Sequence, residues 1–237
     1  MPLPKLNVPK YKLKLPSDGK TIVNFRPFLV KEEKLLLVAT ETGDQAQLLE
    51  TITTIIKDCT DLASVDKLST FDVEYLFLQI RTKSVGETVD VTITCPDDGE
   101  TQVQVSIPLD EIKVVRNKSH KKELKVSDEI IVTLDYPRLQ TFVKMNFAEE
   151  GPGVDDVFEM AAECMSTIAD AEQVYDCADS TREEKLEFLD NLNSKQFAMF
   201  QDFFETMPKL SHTISVTNPN TKVDSEVVLE GLASFFA

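Results

Sequence analysis

The alternation of apolar and polar positions divides the chain into recognisable elements. Tyr11-Lys12-Leu13-Lys14-Leu15 and Thr21-Ile22-Val23-Asn24-Phe25 each alternate, and Pro16-Ser17-Asp18-Gly19 between them is turn chemistry, so a first hairpin is predicted. Val30 to Thr40 reads as helix, and Gly43-Asp44 separates it from a second helix. In that second helix, Gln45 to Cys59, the residues Leu48, Leu49, Ile52, Ile55, Ile56 and Cys59 recur at three- and four-residue steps. Ser69-Thr70 ahead of Phe71, with Asp72 and Glu74 in the first turn, marks a third helix start. Phe71, Tyr75, Leu78 and Arg81 share one face of it, and Leu76, Phe77 and Ile80 widen the apolar surface. A helix apolar over so much of its circumference lies at the centre of a domain or under a partner. A hairpin follows: Val89, Val91 and Ile93 alternate against Val103, Val105 and Ile107, and its tip is Cys95-Pro96-Asp97-Asp98-Gly99.

The pattern then restarts. Strands are predicted at Glu123 to Val126 and Ile130 to Leu134, a short helix from Arg138 to Phe147, and a break at Gly151-Pro152-Gly153. A helix is expected from Asp155 to Ala169, and Ser180 with Glu183 has the spacing of a capping box. Asn193-Ser194 opens a last helix, Lys195 to Met207. Two strands, around Ile214 and Val216 and around Val227 and Leu229, flank Asn218-Pro219-Asn220-Thr221-Lys222. The order of elements in the two halves is similar, and Cys95-Pro96 aligns with Asn218-Pro219. The expectation is an α+β fold of two similar helix-plus-β-hairpin modules in tandem, residues 1–117 and 118–237, with internal duplication and simple convergence of common patterns as the two origins open to it. Small antiparallel sheets would pack on the helices.

Composition narrows the function classes. The chain has 237 residues and a net charge of −16, with a pI near 4.6. Phosphate-backbone binding needs clustered Lys and Arg, so no nucleic-acid partner is expected. The one basic run, Arg116 to Lys122, reads as a solvated linker. The first residues lack the apolar segment of a secretory signal, and no apolar run approaches the roughly 20 residues of a membrane helix. Four scattered cysteines suit a reducing interior. A soluble intracellular protein is expected, without a membrane partner.

Candidate chemistry is sparse. Cys95-Pro96-x-x-Gly99 has the form of half a zinc knuckle, but Asp97 and Asp98 stand where a second cysteine would be. Zinc takes about four ligands, and the matching tip supplies only Asn218, Pro219 and Asn220. Cys95 is thus the one weak metal candidate, and neither metal nor cofactor is expected. The two histidines, His120 and His212, have no nucleophile arrangement around them in sequence, and seven glycines leave little room for a phosphate loop. No catalytic residue stands out, and an enzyme is not expected. Partner contacts are better supported. Met1 to Pro9 holds three prolines and reads as an extended arm carrying Leu3 and Leu6. Phe235 and Phe236 end the chain, where apolar residues either dock or insert into a partner. Phe71 and Tyr75 on the aromatic helix complete the candidates.

Several stretches together resemble the T4-type bacteriophage baseplate hub subunit and hub assembly protein family: Met1-Pro2-Leu3-Pro4-Lys5-Leu6, Phe25-Arg26-Pro27-Phe28-Leu29-Val30-Lys31-Glu32-Glu33-Lys34, the Phe71 to Gly86 helix leading to Cys95-Pro96, Phe204 to Leu210, and Val228-Leu229-Glu230-Gly231-Leu232. The resemblance covers nearly the full length. It implies a non-enzymatic component of the central hub of a contractile tail, or a factor that assembles it. Its partners would be other baseplate hub or tail assembly proteins, with homo-oligomers open, and its location the host cytoplasm during assembly or the virion tail. Some members of the family carry a second knuckle cysteine, which this sequence lacks. Two rival readings are a cell-wall hydrolase of the same hub, which needs convergent carboxylates, and a zinc-knuckle adaptor resting on Cys95.

Overall fold

In a computed structural model describing residues 7–42, 45–138 and 154–231, the alternating stretches become strands and the periodic ones helices. The architecture is α+β, with six helices and eleven strands among the described residues, and every paired strand is antiparallel. The chain forms two compact units, one from Met1–Val115 with Lys209–Ala237 and one from Arg116–Pro208. This division departs from consecutive modules of residues 1–117 and 118–237, for a reason visible in the strand pairing. Strand β10 (Lys209–Thr217) pairs with β5 (Lys113–Val115) through Lys209↔Val115 to Ser211↔Lys113, which places the last hairpin in the first unit.

In the first unit β1 (Tyr11–Lys14) pairs with β2 (Ile22–Phe25), and helices α1 (Val30–Thr42), α2 (Gln45–Cys59) and α3 (Thr70–Val85) follow. Helix α3 has the wide buried surface that its composition predicted. Phe71, Leu76, Leu78 and Ile80 are almost wholly buried, together with Ile52, Ile55 and Ile56 of α2. Ser69 caps α3, its hydroxyl accepting from the Asp72 amide. The buried Asp72 carboxylate accepts in turn from the Ser69 hydroxyl and the Ser17 amide, so the first hairpin's tip is tied to the start of α3. Strands β3 (Thr88–Thr94) and β4 (Gln102–Pro108) pair in the register the alternation required, with Val89 opposite Ile107, Val91 opposite Val105 and Ile93 opposite Val103. Strand β10 also pairs with β11 (Asp224–Glu230), giving the order β11-β10-β5.

The corner between β2 and α1 is built by the segment Phe25 to Glu32. Glu32 is buried, accepts from the Leu29 amide at 2.8 Å, and pairs with Arg26 at 2.8 Å and Lys31 at 3.1 Å. Burial alone would push its carboxyl up, but the Arg26 guanidinium, the Leu29 amide and Lys31 hold it down at about 2. The Phe28 amide donates to the Ser84 hydroxyl of α3, and the Phe28 ring packs edge-on against Phe77.

The second unit is a four-stranded sheet in the order β6 (Glu123–Lys125), β7 (Ile131–Leu134), β8 (Met165–Ala169), β9 (Val174–Asp176). It contains helices α4 (Val154–Cys164), α5 (Arg182–Asp190) and α6 (Ser194–Thr206). Its core joins Val132 and Leu134 of β7 to Ala161 of α4, Leu189 of α5, and Phe200 and Phe203 of α6.

Two sequence expectations are corrected here. The helix expected to run to Ala169 stops at Cys164, and Met165–Ala169 pairs with β7 instead, from Leu134↔Met165 to Ile131↔Ala169. A ladder partner has overridden a helical apolar period in a stretch containing the β-branched Thr167 and Ile168. The capping box uses Thr181 with Glu184 and not Ser180 with Glu183: the Thr181 hydroxyl accepts from the Glu184 amide, and the Glu184 carboxylate accepts from the Thr181 amide. The helix expected over Arg138 to Phe147 lies, apart from Arg138, outside the described residues.

One device recurs between the halves. The Arg26 amide donates to the Cys59 carbonyl at the end of α2, beside a bridge between Phe25 and Thr60. The Asp135 amide donates to the Cys164 carbonyl at the end of α4, beside the Leu134↔Met165 pair. Beyond that point the halves differ, since Thr60 makes a single bridge where Met165 begins a full strand.

Candidate functional site

Three hairpin tips of the first unit share one construction. In each, the residue before the proline both donates and accepts across the turn. The Leu15, Cys95 and Asn218 amides donate to the Thr21, Thr101 and Val223 carbonyls, and the Leu15, Cys95 and Asn218 carbonyls accept from the Gly19, Gly99 and Lys222 amides. Gly19, Gly99 and Lys222 all have φ between 64° and 70°, where glycine fits without strain and lysine does not. Asp18 and Asp98 brace their turns alike, accepting from the amides two and three residues on and from the hydroxyls of Thr21 and Thr101. Those hydroxyl and amide bonds hold both carboxyls well below the ordinary range, Asp18 at about 2.

This construction accounts for Cys95. It is 1% exposed and occupies the position of the buried Leu15 and Asn218 in the other tips, so its side chain is a packed one. Burial, with Asp97 and Asp98 beside it, pushes the thiol up. Among the described residues no three His, Cys, Asp or Glu side chains cluster as a metal site.

The tips that align in sequence also touch. The Asn218 side-chain amide donates to both Asp97 carboxylate oxygens, at 3.0 and 3.1 Å, and to Asp98 at 2.8 Å. The Thr221 hydroxyl donates to Asp97, and the Asn220 side chain donates to the Thr101 hydroxyl. Residues some 120 positions apart are thus clasped by polar contacts, and the Thr221 and Asn218 bonds lower the Asp97 carboxyl. Its donors and acceptors are used on one another, and it joins two hairpins.

The remaining candidates are dispersed. Phe71 is 1% exposed and belongs to the core, while Tyr75 is half-buried, which pushes its phenol up. Leu3, Leu6, Phe235 and Phe236 lie outside the described residues. His120 packs against Tyr136 and Phe203, with Nδ1 3.0 Å from the Thr206 hydroxyl. Because that hydroxyl donates to the Asp202 carbonyl, Nδ1 carries the proton, and burial together with Lys122 and Arg116 pushes the ring's pKa down. His212 Nε2 lies 4.0 Å from a Glu111 carboxylate oxygen. A groove of about 480 Å³ in the second unit is lined by Glu159, Ala162, Glu163, Arg182 and Lys185. Arg182 pairs with Glu159 there.

What sequence reasoning missed is the exposed apolar surface of α1. Val30, Leu35, Leu37 and Val38 are all exposed. The signal was present in Val30-Lys31-Glu32-Glu33-Lys34-Leu35-Leu36-Leu37-Val38, whose apolar residues exceed what one buried face can hold.

The family model for the T4 bacteriophage base plate protein matches residues 8–237, nearly the whole chain. The chain belongs to this family. No curated protein and no solved structure matches it. A member of this family is a structural part of the phage baseplate that contacts other phage baseplate proteins. No helix among the described residues is long and apolar enough to cross a membrane.

Proposed function

We propose that this baseplate protein is a non-enzymatic structural or assembly component of the central hub, acting through protein–protein contacts. The family match over residues 8–237 is the observation that carries the reading. The contacts are assigned to the arm with Leu3 and Leu6, to Phe235 and Phe236 at the other end, and to the half-buried Tyr75. Other hub and tail assembly proteins are the partners, met in the host cytoplasm or in the tail.

The test is a phage in which the gene is silenced, followed by electron microscopy and mass spectrometry of its baseplates. Baseplates arrested without a central hub are expected, and complete hubs formed in its absence would overturn the reading. Mass spectrometry of wild-type virions then separates the two forms of the role: detection there identifies a retained part, and absence an assembly factor that leaves.

A further inference from the structure

The outward stripe of α1 is not absorbed by any contact described above. At about 100° per residue, Val30, Lys34, Leu37 and Glu41 fall within roughly 60° of one another around the helix, with Val38 on the flank. Val30 is 79% exposed, Leu37 59% and Val38 44%. Helix α1 turns its other side, with Glu32 and Ala39, inward. Lys34 and Glu41 are exposed and have no ion-pair partner among the described residues. The stripe therefore carries apolar side chains with one exposed lysine and one exposed glutamate, a pattern that a partner of matching charge can cover.

We infer that α1 is a self-association surface, and that two copies of the chain pair through it as antiparallel helices about a two-fold axis. The spacing selects this occupant. Lys34 and Glu41 stand at equal distances on either side of the midpoint between Leu37 and Val38. An antiparallel pair centred there sets Lys34 against the second copy's Glu41 twice, by symmetry, and Leu37 against the second copy's Val38. A parallel pair would set Lys34 against Lys34 and Glu41 against Glu41, so the charges choose the direction. The corner held by Arg26, Glu32 and Ser84 fixes α1 before the partner arrives, which lowers the ordering cost of association. In this arrangement the two helices overlap over residues 33–42, under three turns and at the small end of specific interfaces, so a dissociation constant of roughly micromolar or weaker is expected.

Sedimentation velocity on the full chain, from about micromolar to several hundred micromolar at physiological salt, reads the association directly. A monomer–dimer equilibrium is expected for the wild type. Leu37→Asp should abolish it while leaving the circular dichroism spectrum unchanged, because Leu37 contributes little to the core. Lys34→Glu alone and Glu41→Lys alone should each weaken the dimer about tenfold, and the double exchange K34E/E41K should restore it. A wild-type chain that stays monomeric throughout overturns the inference. So does a dimer that survives Leu37→Asp, or a double exchange that fails to recover what the single exchanges lose.

Discussion

Glu32 carries more of the first unit than its place in a charged stretch suggests. Its carboxylate joins the end of β2 to the start of α1 through Arg26 and the Leu29 amide. Glu32→Ala leaves the Arg26 guanidinium partly buried without its partner, which should cost about 3 kcal/mol of unfolding free energy in urea titrations at neutral pH. The folded carboxyl titrates near 2 against an ordinary value of 4.5. The pair's contribution is therefore full above about pH 4.5 and lost as the pH falls towards 2. Wild type and Glu32→Ala should accordingly converge in stability over that window. Cys95 makes the opposite lesson. Its knuckle-like setting made it the one weak metal candidate in the sequence, and the tip geometry makes it the counterpart of Leu15. Cys95→Ser should cost about 1–2 kcal/mol for burying a hydroxyl, and neither added zinc nor a chelator should change the melting curve of either protein. Single residues are poorly legible in this way because a sequence shows a residue's type and not its neighbours. Asp97 is the clearest case: the clasp it makes with Asn218 depends on two tips that meet only after folding.

Elements were more legible than residues. The β3–β4 hairpin, α3 with its Ser69 cap, and α6 with its Asn193–Gln196 capping box follow from local rules, since period and capping chemistry are encoded within a few positions. What failed was decided at long range. Strand β8 continues an apolar helical pattern and becomes a strand because β7 offers it a ladder. Strands β5 and β9 are three residues each and exist only through their partners β10 and β8. The capping box at α5 is a near miss, because Ser180, Thr181, Glu183 and Glu184 offer two registers and the backbone takes the second. Thr181→Ala should lower stability by about 1 kcal/mol, measured by chemical denaturation, while Ser180→Ala should change it by only a few tenths.

At the scale of the molecule, the pattern of apolar and polar positions indicated mixed helices and small antiparallel sheets, and the compact units divide the chain differently from residues 1–117 and 118–237. The second unit is continuous in sequence, while the first needs both its early and late segments. Residues 116–208 expressed alone should therefore give a cooperative thermal transition by circular dichroism. Residues 1–115 alone should not, because they lack the β10 partner of β5 and the tip that clasps Asp97. The recurrent link between a helix-ending cysteine and the residue after a hairpin, at Arg26 with Cys59 and at Asp135 with Cys164, is compatible with a duplicated ancestor. The differing strand partners that follow leave the duplication as our proposal.

The pairing of β10 with β5 bears on how the chain is made. On the ribosome, residues 116–208 emerge as a complete set and can close while synthesis continues. The first 115 residues, made earlier, must wait for the last hairpin with the β5 edge and part of the α3 surface uncovered. Emergence of the last hairpin, and not of the first 115 residues, is then the event that completes the first unit. A messenger truncated before the codon for Lys209 would yield a nascent chain with one finished unit and one that stays exposed to chaperones and proteases.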